Sequence, residues 1–256
     1  MSPLAVNMFK RAIPGPQKSK LVVNLLHSEE EIRQVMMLRY KIFAEEMGAK
    51  IDSPTPGFDC DHFDDYAHHL VVRDTATGCV VGYTRIITDA NAQLAGGFYS
   101  QSEFDLSAIL ELPGRFMEIG RTLIHPDYRT GGAVNLLFTG VFRYMVMHDM
   151  DYMIGCASIP MADGGKMART IIEQLRSKHM SSPSLRVLPR QPLPVTGIVR
   201  SEEAKLPPLL KAYIRAGALI CGEPHWDQEF GVADVFILFD RDRINPRYAR
   251  HFLSAA

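Results

Sequence analysis

Cysteine is scarce in this chain: there are four among 256 residues, and none of Cys60, Cys79, Cys156 and Cys221 stands in a C-x-x-C pair. That excludes a disulfide framework and a zinc ribbon, and it points to reduced thiols in a cytoplasm. Long apolar runs are missing too. A stretch such as Val235-Phe236-Ile237-Leu238-Phe239 falls far short of the about 20 residues that cross a bilayer, and the N-terminus has no uninterrupted apolar region of the kind a secretory signal needs. Neither sign of charge is in excess, the formal net charge being -1, so bulk charge does not call for a nucleic-acid partner. No internal repeat or low-complexity tract is present.

Locally the charge is uneven. Residues 1–28 contain Lys10, Arg11, Lys18 and Lys20 and no acid, and are interrupted by Pro14 and Pro16. This reads as a basic, flexible tail, open to peripheral contact with an anionic membrane. The remainder, 29–256, is long enough to bury one full core and reads as a single domain, with a Pro-rich excursion at about 181–208.

Ser28-Glu29-Glu30-Glu31 is a capping box, and the apolar spacing after it predicts a helix over about 29–47. Strand patterns follow at His69–Val72 and Val80–Ile87, then Phe116–Ile124, Tyr152–Ala157, Ala218–Cys221 and Val232–Phe239. Helices are expected after Gly132, over Met161–Lys178, Pro207–Ala216 and Pro246–Phe252. The mixed order argues for an α/β fold of the α+β type with a mixed sheet, and against regular βαβ alternation.

The stretch from Glu118 to Ala133 carries the chemistry. Glu118-Ile119-Gly120-Arg121 places a carboxylate and a guanidinium inside a core strand, where both are costly unless paired or used. Arg129-Thr130-Gly131-Gly132-Ala133 then opens a helix with glycines, offering free backbone N–H groups and a positive dipole end to a phosphate. In a regular strand Glu118 and Arg121 point to opposite faces; a bulge near Gly120 would bring them together. Glu118 is either a general base or half of a structural ion pair with Arg85 or Arg121.

The whole set of segments resembles the GNAT acyltransferases, whose central strand splays from its neighbour. Leu38-Arg39-Tyr40-Lys41-Ile42-Phe43-Ala44-Glu45-Glu46, Asp59-Cys60-Asp61-His62-Phe63-Asp64, Gly82-Tyr83-Thr84-Arg85, Gly97-Phe98-Tyr99-Ser100-Gln101-Ser102-Glu103, Glu118-Ile119-Gly120-Arg121 and Gly155-Cys156-Ala157-Ser158 are similar to the ornithine-lipid branch, the L-ornithine N-alpha-acyltransferases, related to acyl-homoserine lactone synthases. The resemblance implies transfer of a 3-hydroxyacyl chain from acyl carrier protein to the alpha-amine of ornithine, giving a lyso-ornithine lipid, with no metal or redox cofactor. Glycine or another amine is the alternative acceptor. A catalytically silent module that binds acyl carriers or membranes is the alternative of another class.

The resemblance assigns catalysis to Glu118, Gly120 and Arg121, donor binding to Arg129, Gly131, Gly132 and Ala133, and the amine pocket or its lid to Arg39, Phe43, Asp61, Asp64 and Arg85. Small-donor members carry R-x-x-G-x-G/A, of which this chain keeps only Arg129 and Gly132 in register. That departure disfavours acyl-CoA and favours the carrier's phosphopantetheine. Arg39 is expected to pair with Asp61 or Asp64. The cluster of Asp59, Asp61, Asp64 and Asp65 with His62, His68 and His69 has the composition of a metal site but matches no metal-ligand spacing, and its acids are expected to attract a cationic amino acid. Cys156 is expected to be an inert thiol, and Met36, Met37, Met145, Met147 and Met150 either line an acyl tunnel or belong to the core. Arg241 to Arg250 offer a docking surface for an acidic carrier protein.

Overall fold

The computed structural model describes residues 20–129, 131–194 and 204–243. The strands run β1 (Leu21–Leu25), β2 (His68–Asp74), β3 (Val80–Thr88), β4 (Phe104–Asp105), β5 (Phe116–Ile124), β6 (Tyr152–Pro160), β7 (Leu188–Pro189), β8 (Leu219–Ile220), β9 (His225–Asp227) and β10 (Val232–Asp240). The helices are α1 (Glu29–Tyr40), continued by a π-helical stretch Lys41–Glu46, then α2 (Asp89–Leu94), α3 (Ser107–Leu110), α4 (Gly132–Met147), α5 (Lys166–His179) and α6 (Pro208–Ala216). The main sheet has the order β1-β2-β3-β5-β6-β10-β8, with β9 also pairing with β10. Its ladders are antiparallel except β5 beside β6. The fold is therefore mixed α/β, as expected.

Alternation along the strands divides the core. Leu70, Val72, Met117 and Ile119 pack with α4, α5 and α6, whereas Val71, Tyr83 and Leu123 pack with Val35 of α1 and with Ile42 and Phe43 of the π-helical stretch. Helix α4 lies so close to the sheet that a Cβ on Gly140 would come 2.5 Å from Val23 and 3.0 Å from Leu70.

Several bounds differ from expectation, three of them with a local cause; β6, expected over Tyr152–Ala157, also runs on to Pro160. Leu21–Leu25 pairs in full with β2, so the flexible segment expected over residues 1–28 does not include these five; the apolar run Leu21-Val22-Val23 outweighs the basic charge before it. Helix α5 starts at Lys166 and not at Met161, because Gly164 and Gly165 take positive φ values of 73° and 82° and form a turn. The first helix is capped by Ser28, whose side chain accepts from the Glu31 N–H at 3.2 Å, but its last turns are π-helical, a form that is frequent at functional sites. The helix expected over Pro246–Phe252, with Arg247 and Arg250, lies outside the described residues, as do Lys10, Arg11 and Lys18.

Candidate active site

Strands β5 and β6 pair only at Phe116–Tyr152, Met117–Met153 and Glu118–Ile154. Beyond that point β6 continues beside β10 as far as Pro160, and the facing edge of β5 has no strand partner among the described residues. Gly155 sits where the two part: a Cβ there would lie 2.5 Å from the Ile119 carbonyl oxygen. The opening is a cavity of ≈ 300 Å³, walled by Glu118 to Thr122 of β5, by Cys156 and Ser158 of β6 and by the rings of Phe43, Tyr99 and Phe230.

On its other edge β5 is bulged. Tyr83 faces Leu123 while Arg85 faces Gly120, so Arg121 and Thr122 together oppose Thr84. Arg121 itself, not Gly120, takes the left-handed conformation, with φ 51°. The extra residue reverses the side-chain alternation, and both Glu118 and Arg121 line the cavity. The Arg121 guanidinium lies over the Phe230 ring at 4.8 Å and the Tyr99 ring at 5.1 Å.

Glu118 is 2 % exposed. Its carboxylate makes none of the ion pairs found among the described residues. It accepts from the backbone N–H groups of Tyr99 and Ser100 at 2.7 and 2.8 Å, and from the Ser100 hydroxyl. Burial raises its pKa, opposed by the Ser100 and Tyr99 hydrogen bonds and the Arg85 charge, and the net direction is upward. A carboxylate raised above its usual value and facing a cavity is suited to take a proton near neutral pH.

Arg39, Arg85 and Arg121 form a closed ring with Asp59, Asp61 and Asp64. Arg39 meets Asp59 at 3.0 Å and Asp64 at 2.6 Å, Arg85 meets Asp64 at 3.0 Å and Asp61 at 2.5 Å, and Arg121 meets Asp61 at 3.2 Å and Asp59 at 3.4 Å. Each ion thus has two opposite neighbours. Burial works to raise the Asp64 pKa, but Arg39 and Arg85 outweigh it and hold that carboxyl below its usual range. The ring corrects the expectation that these acids attract a cationic substrate: their charges are already neutralised by arginines. It also gives Arg39 Asp59 as a partner in addition to Asp64, while Asp61 goes to Arg85 and Arg121. The histidines disperse. His62 approaches the Ala95 carbonyl, His68 contacts Tyr144, and His69 bridges Tyr83 and the Asp64 carbonyl.

Besides Glu118, the carboxylates among the described residues that line the cavity without an ion pair are Glu103, Asp227 and Asp234, for which the sequence suggested no role. Their oxygens lie within 4.8 Å of one another. Asp234 accepts from the Ser158 hydroxyl at 2.6 Å, and Asp227 accepts from the N–H groups of Glu229 and Phe230. Burial, with Asp227 adding to it against the Ser158 hydrogen bond, pushes the Asp234 carboxyl up to about 7. Burial also pushes the neighbouring Cys156 thiol well up, helped by the Glu103 and Asp234 charges, so Cys156 lines the cavity as a thiol and not a thiolate nucleophile.

The loop in which donor binding is expected leaves the sheet after Ile124. Gly131, with φ 106°, caps α4 without a side-chain hydrogen bond, and Gly132 and Ala133 open the helix. Arg129 holds Glu46 of the π-helical stretch with two hydrogen bonds, at 2.6 and 3.0 Å, and donates to the Ile124 carbonyl at 3.1 Å. Its guanidinium is therefore engaged, although the pair is 46 % and 39 % exposed. Of the methionines expected at a tunnel, Met145 and Met150 are core and Met37 and Met147 are exposed; the methionine lining the cavity is Met47. Arg241 and Arg243 pair with Asp151 and Asp240.

The model of the acetyltransferase (GNAT) domain family matches residues 38–139. Over most of its length the chain is similar to curated L-ornithine N(alpha)-acyltransferases. It is 34 % identical over 268 residues to that of Rhizobium meliloti (strain 1021), covering 95 % of this chain and 90 % of that protein. With that of Brucella abortus (strain 2308) it is 32 % identical over 252 residues, covering 91 % and 88 %. Among solved structures, the CoA-dependent acyl-homoserine lactone synthase BjaI with MTA superposes with a TM-score of 0.57 at 14 % identity, over 92 % of this chain and 89 % of that one. That likeness concerns the fold.

Proposed function

Because the chain belongs to the family of the L-ornithine N(alpha)-acyltransferases, we propose that it transfers a 3-hydroxyacyl chain from the thioester of acyl carrier protein to the alpha-amine of L-ornithine, giving lyso-ornithine lipid. The observation that carries this reading is the position of Glu118: a buried carboxylate of raised pKa, held by three donors from Tyr99 and Ser100, at the mouth of the β5–β6 opening.

The alpha-ammonium gives a proton to Glu118, directly or through one water, and the free amine attacks the thioester carbonyl carbon. The carbonyl π electrons move to oxygen. The strand edge of β5 beyond Glu118, unpaired toward β6, supplies backbone donors toward that oxyanion. Collapse re-forms the carbonyl and breaks the C–S bond; the departing pantetheine sulfur takes a proton and the new amide nitrogen loses one. Arg121, held over Tyr99 and Phe230 and paired with Asp59 and Asp61, forms the cavity wall beside Glu118 and so shapes the place of the amine substrate. No step requires a metal, a redox cofactor or a covalent acyl-cysteine.

For the donor, the phosphate of phosphopantetheine exchanges with Glu46 at Arg129 and meets the backbone N–H groups that open α4 at Gly131, Gly132 and Ala133. An exposed ion pair such as Arg129–Glu46 contributes about 0–1 kcal/mol, so the exchange costs little. The loop's departure from R-x-x-G-x-G/A supports a carrier-protein donor over acyl-CoA. No helix among the described residues is long and apolar enough to cross a membrane; the basic sequence from Lys10 to Lys20 supports peripheral contact with an anionic surface, into which an acylated product partitions.

The test is thiol release by the purified protein from 3-hydroxyacyl carrier protein and from the matching acyl-CoA, each with ornithine and with glycine. Ornithine-dependent release from the carrier thioester is expected. Release from acyl-CoA alone overturns the donor assignment, and release with glycine but not ornithine overturns the acceptor.

A further inference from the structure

Glu103, Asp227 and Asp234 are not used by the steps above, yet they share the cavity in which those steps occur. Glu103 follows the short 3-10 turn Tyr99–Ser102, Asp227 ends β9 and Asp234 lies in β10. Glu103 and Asp234 are each 4 % exposed. The Glu103 Oε2 atom is buried with no hydrogen-bond partner, which is costly for a carboxylate unless something is to be bound there. None of the three has an ion pair among the described residues. The nearby cations Arg85 and Arg121 are committed to Asp59, Asp61 and Asp64.

The cluster lies a short way from Glu118. The Ser100 hydroxyl that binds Glu118 is also 3.3 Å from the Cys156 sulfur, and Cys156 neighbours Glu103. A small amino acid with its alpha-amine at Glu118 therefore directs its side chain toward these acids.

We propose that Glu103, Asp227 and Asp234 bind the side-chain ammonium of the amine substrate and so select a diamino acid over monoamines. The inference rests on the acyltransferase reading of the cavity. An ammonium group offers three donors to three carboxylate groups and replaces their mutual repulsion with attraction. Burial and the charge of Asp234 push the Glu103 carboxyl up, as burial does for Asp234; a cationic guest opposes that shift. The same contact protects the side-chain amine. An amine kept as ammonium has no lone pair with which to attack a thioester, so acylation is confined to the alpha-amine beside Glu118.

The experiment compares L-ornithine with L-norvaline, which has the same carbon chain without the terminal amine, in the wild-type protein and in the Glu103→Gln and Asp234→Asn variants. In the wild type kcat/KM should favour ornithine by about 10²-fold or more, as for a site built around a polar group that the analogue lacks. Each variant should cut that ratio about tenfold, mainly through the ornithine KM. Without donor, ornithine and not norvaline should raise the melting temperature of the wild type, and this shift should vanish in Glu103→Gln. An ornithine-to-norvaline ratio unchanged in both variants overturns the proposal. So does loss of ornithine turnover in chelator that a divalent metal restores, which would make the cluster a metal site. If the wild type releases no thiol with any amine but keeps a Glu103-dependent thermal shift with ornithine, the acyltransferase reading fails and the ammonium site stands.

Discussion

Arg39 and Asp64 meet at 2.6 Å with side chains 0 % and 1 % exposed, and each is also bound to a second member of the same six-ion ring. Their burial joins the first helix and the 59–64 loop to the β3 and β5 strands that form the wall of the site. The ring includes Arg121 and Arg85, which line the cavity, so the positions of these two cations depend on aspartates outside it. Pairing in a ring also explains why so many charges can be buried here: none is left without a counter-ion.

Replacing Asp64 by Asn should therefore leave Arg39 and Arg85 undercompensated and destabilise the fold by about 3–5 kcal/mol, read as the change in denaturant unfolding free energy. The folded-state Asp64 pKa is depressed below its usual 3.8. Its contribution is thus fully present above pH 3.8 and is lost as pH falls toward the folded value. The stability difference between wild type and variant should shrink on acidification below pH 3.8; a constant difference would contradict the pairing.

Glu118→Gln should lower kcat by about 10²–10⁴-fold, the usual range for a positioned proton acceptor, with a smaller change in KM. In the wild type, activity should rise with pH through an apparent pKa above the usual glutamate value of 4.5, because burial raises it. The variant should lack that limb. Full turnover by the variant across the pH range would remove the assigned role.

Cys156 faces the same cavity, but burial keeps its thiol protonated. Cys156→Ala should keep kcat within about threefold of wild type, since its thiolate is not accessible at neutral pH. Mass spectrometry of the wild type with donor alone should show no acyl-protein adduct. An acylated Cys156 that disappears on adding amine would replace direct attack with a two-step transfer.

The Arg129–Glu46 pair has opposite consequences for its two members. Arg129→Ala should raise the KM for the carrier thioester roughly tenfold, as loss of one charge-assisted phosphate contact does. Glu46→Ala should lower it a few-fold by freeing the guanidinium, an exposed pair being worth about 0–1 kcal/mol. Equal increases in KM for both variants would mean that the pair itself, and not its opening, serves the donor.

What could be read from the chain was mostly local. The bounds of β5 match the strand pattern of Phe116–Ile124, and the bulge that turns Glu118 and Arg121 to one cavity was implied by their parity. The identity of the strained residue was not: the glycine at 120 suggested itself, but Arg121 bears the positive φ because its side chain is held by Tyr99, Phe230 and two aspartates. The composition of the 59–65 loop showed many acids, whereas their neutralisation needs Arg39, Arg85 and Arg121 from three other elements. Glu103 stands more than a hundred positions before Asp227 and Asp234, and no spacing joins it to them before the strands β9 and β10 are in place. Strand β1 was hidden differently: Leu21-Val22-Val23-Asn24-Leu25 carries a strand pattern that the preceding basic charge obscured.

The most direct test of the account is fragmentation mass spectrometry of the product made from 3-hydroxyacyl carrier protein and L-ornithine, with the released carrier thiol counted in the same reaction. One amide per thiol is expected, borne on the alpha-nitrogen with the terminal amine free. An amide on the terminal nitrogen, or thiol release without amide, would contradict it.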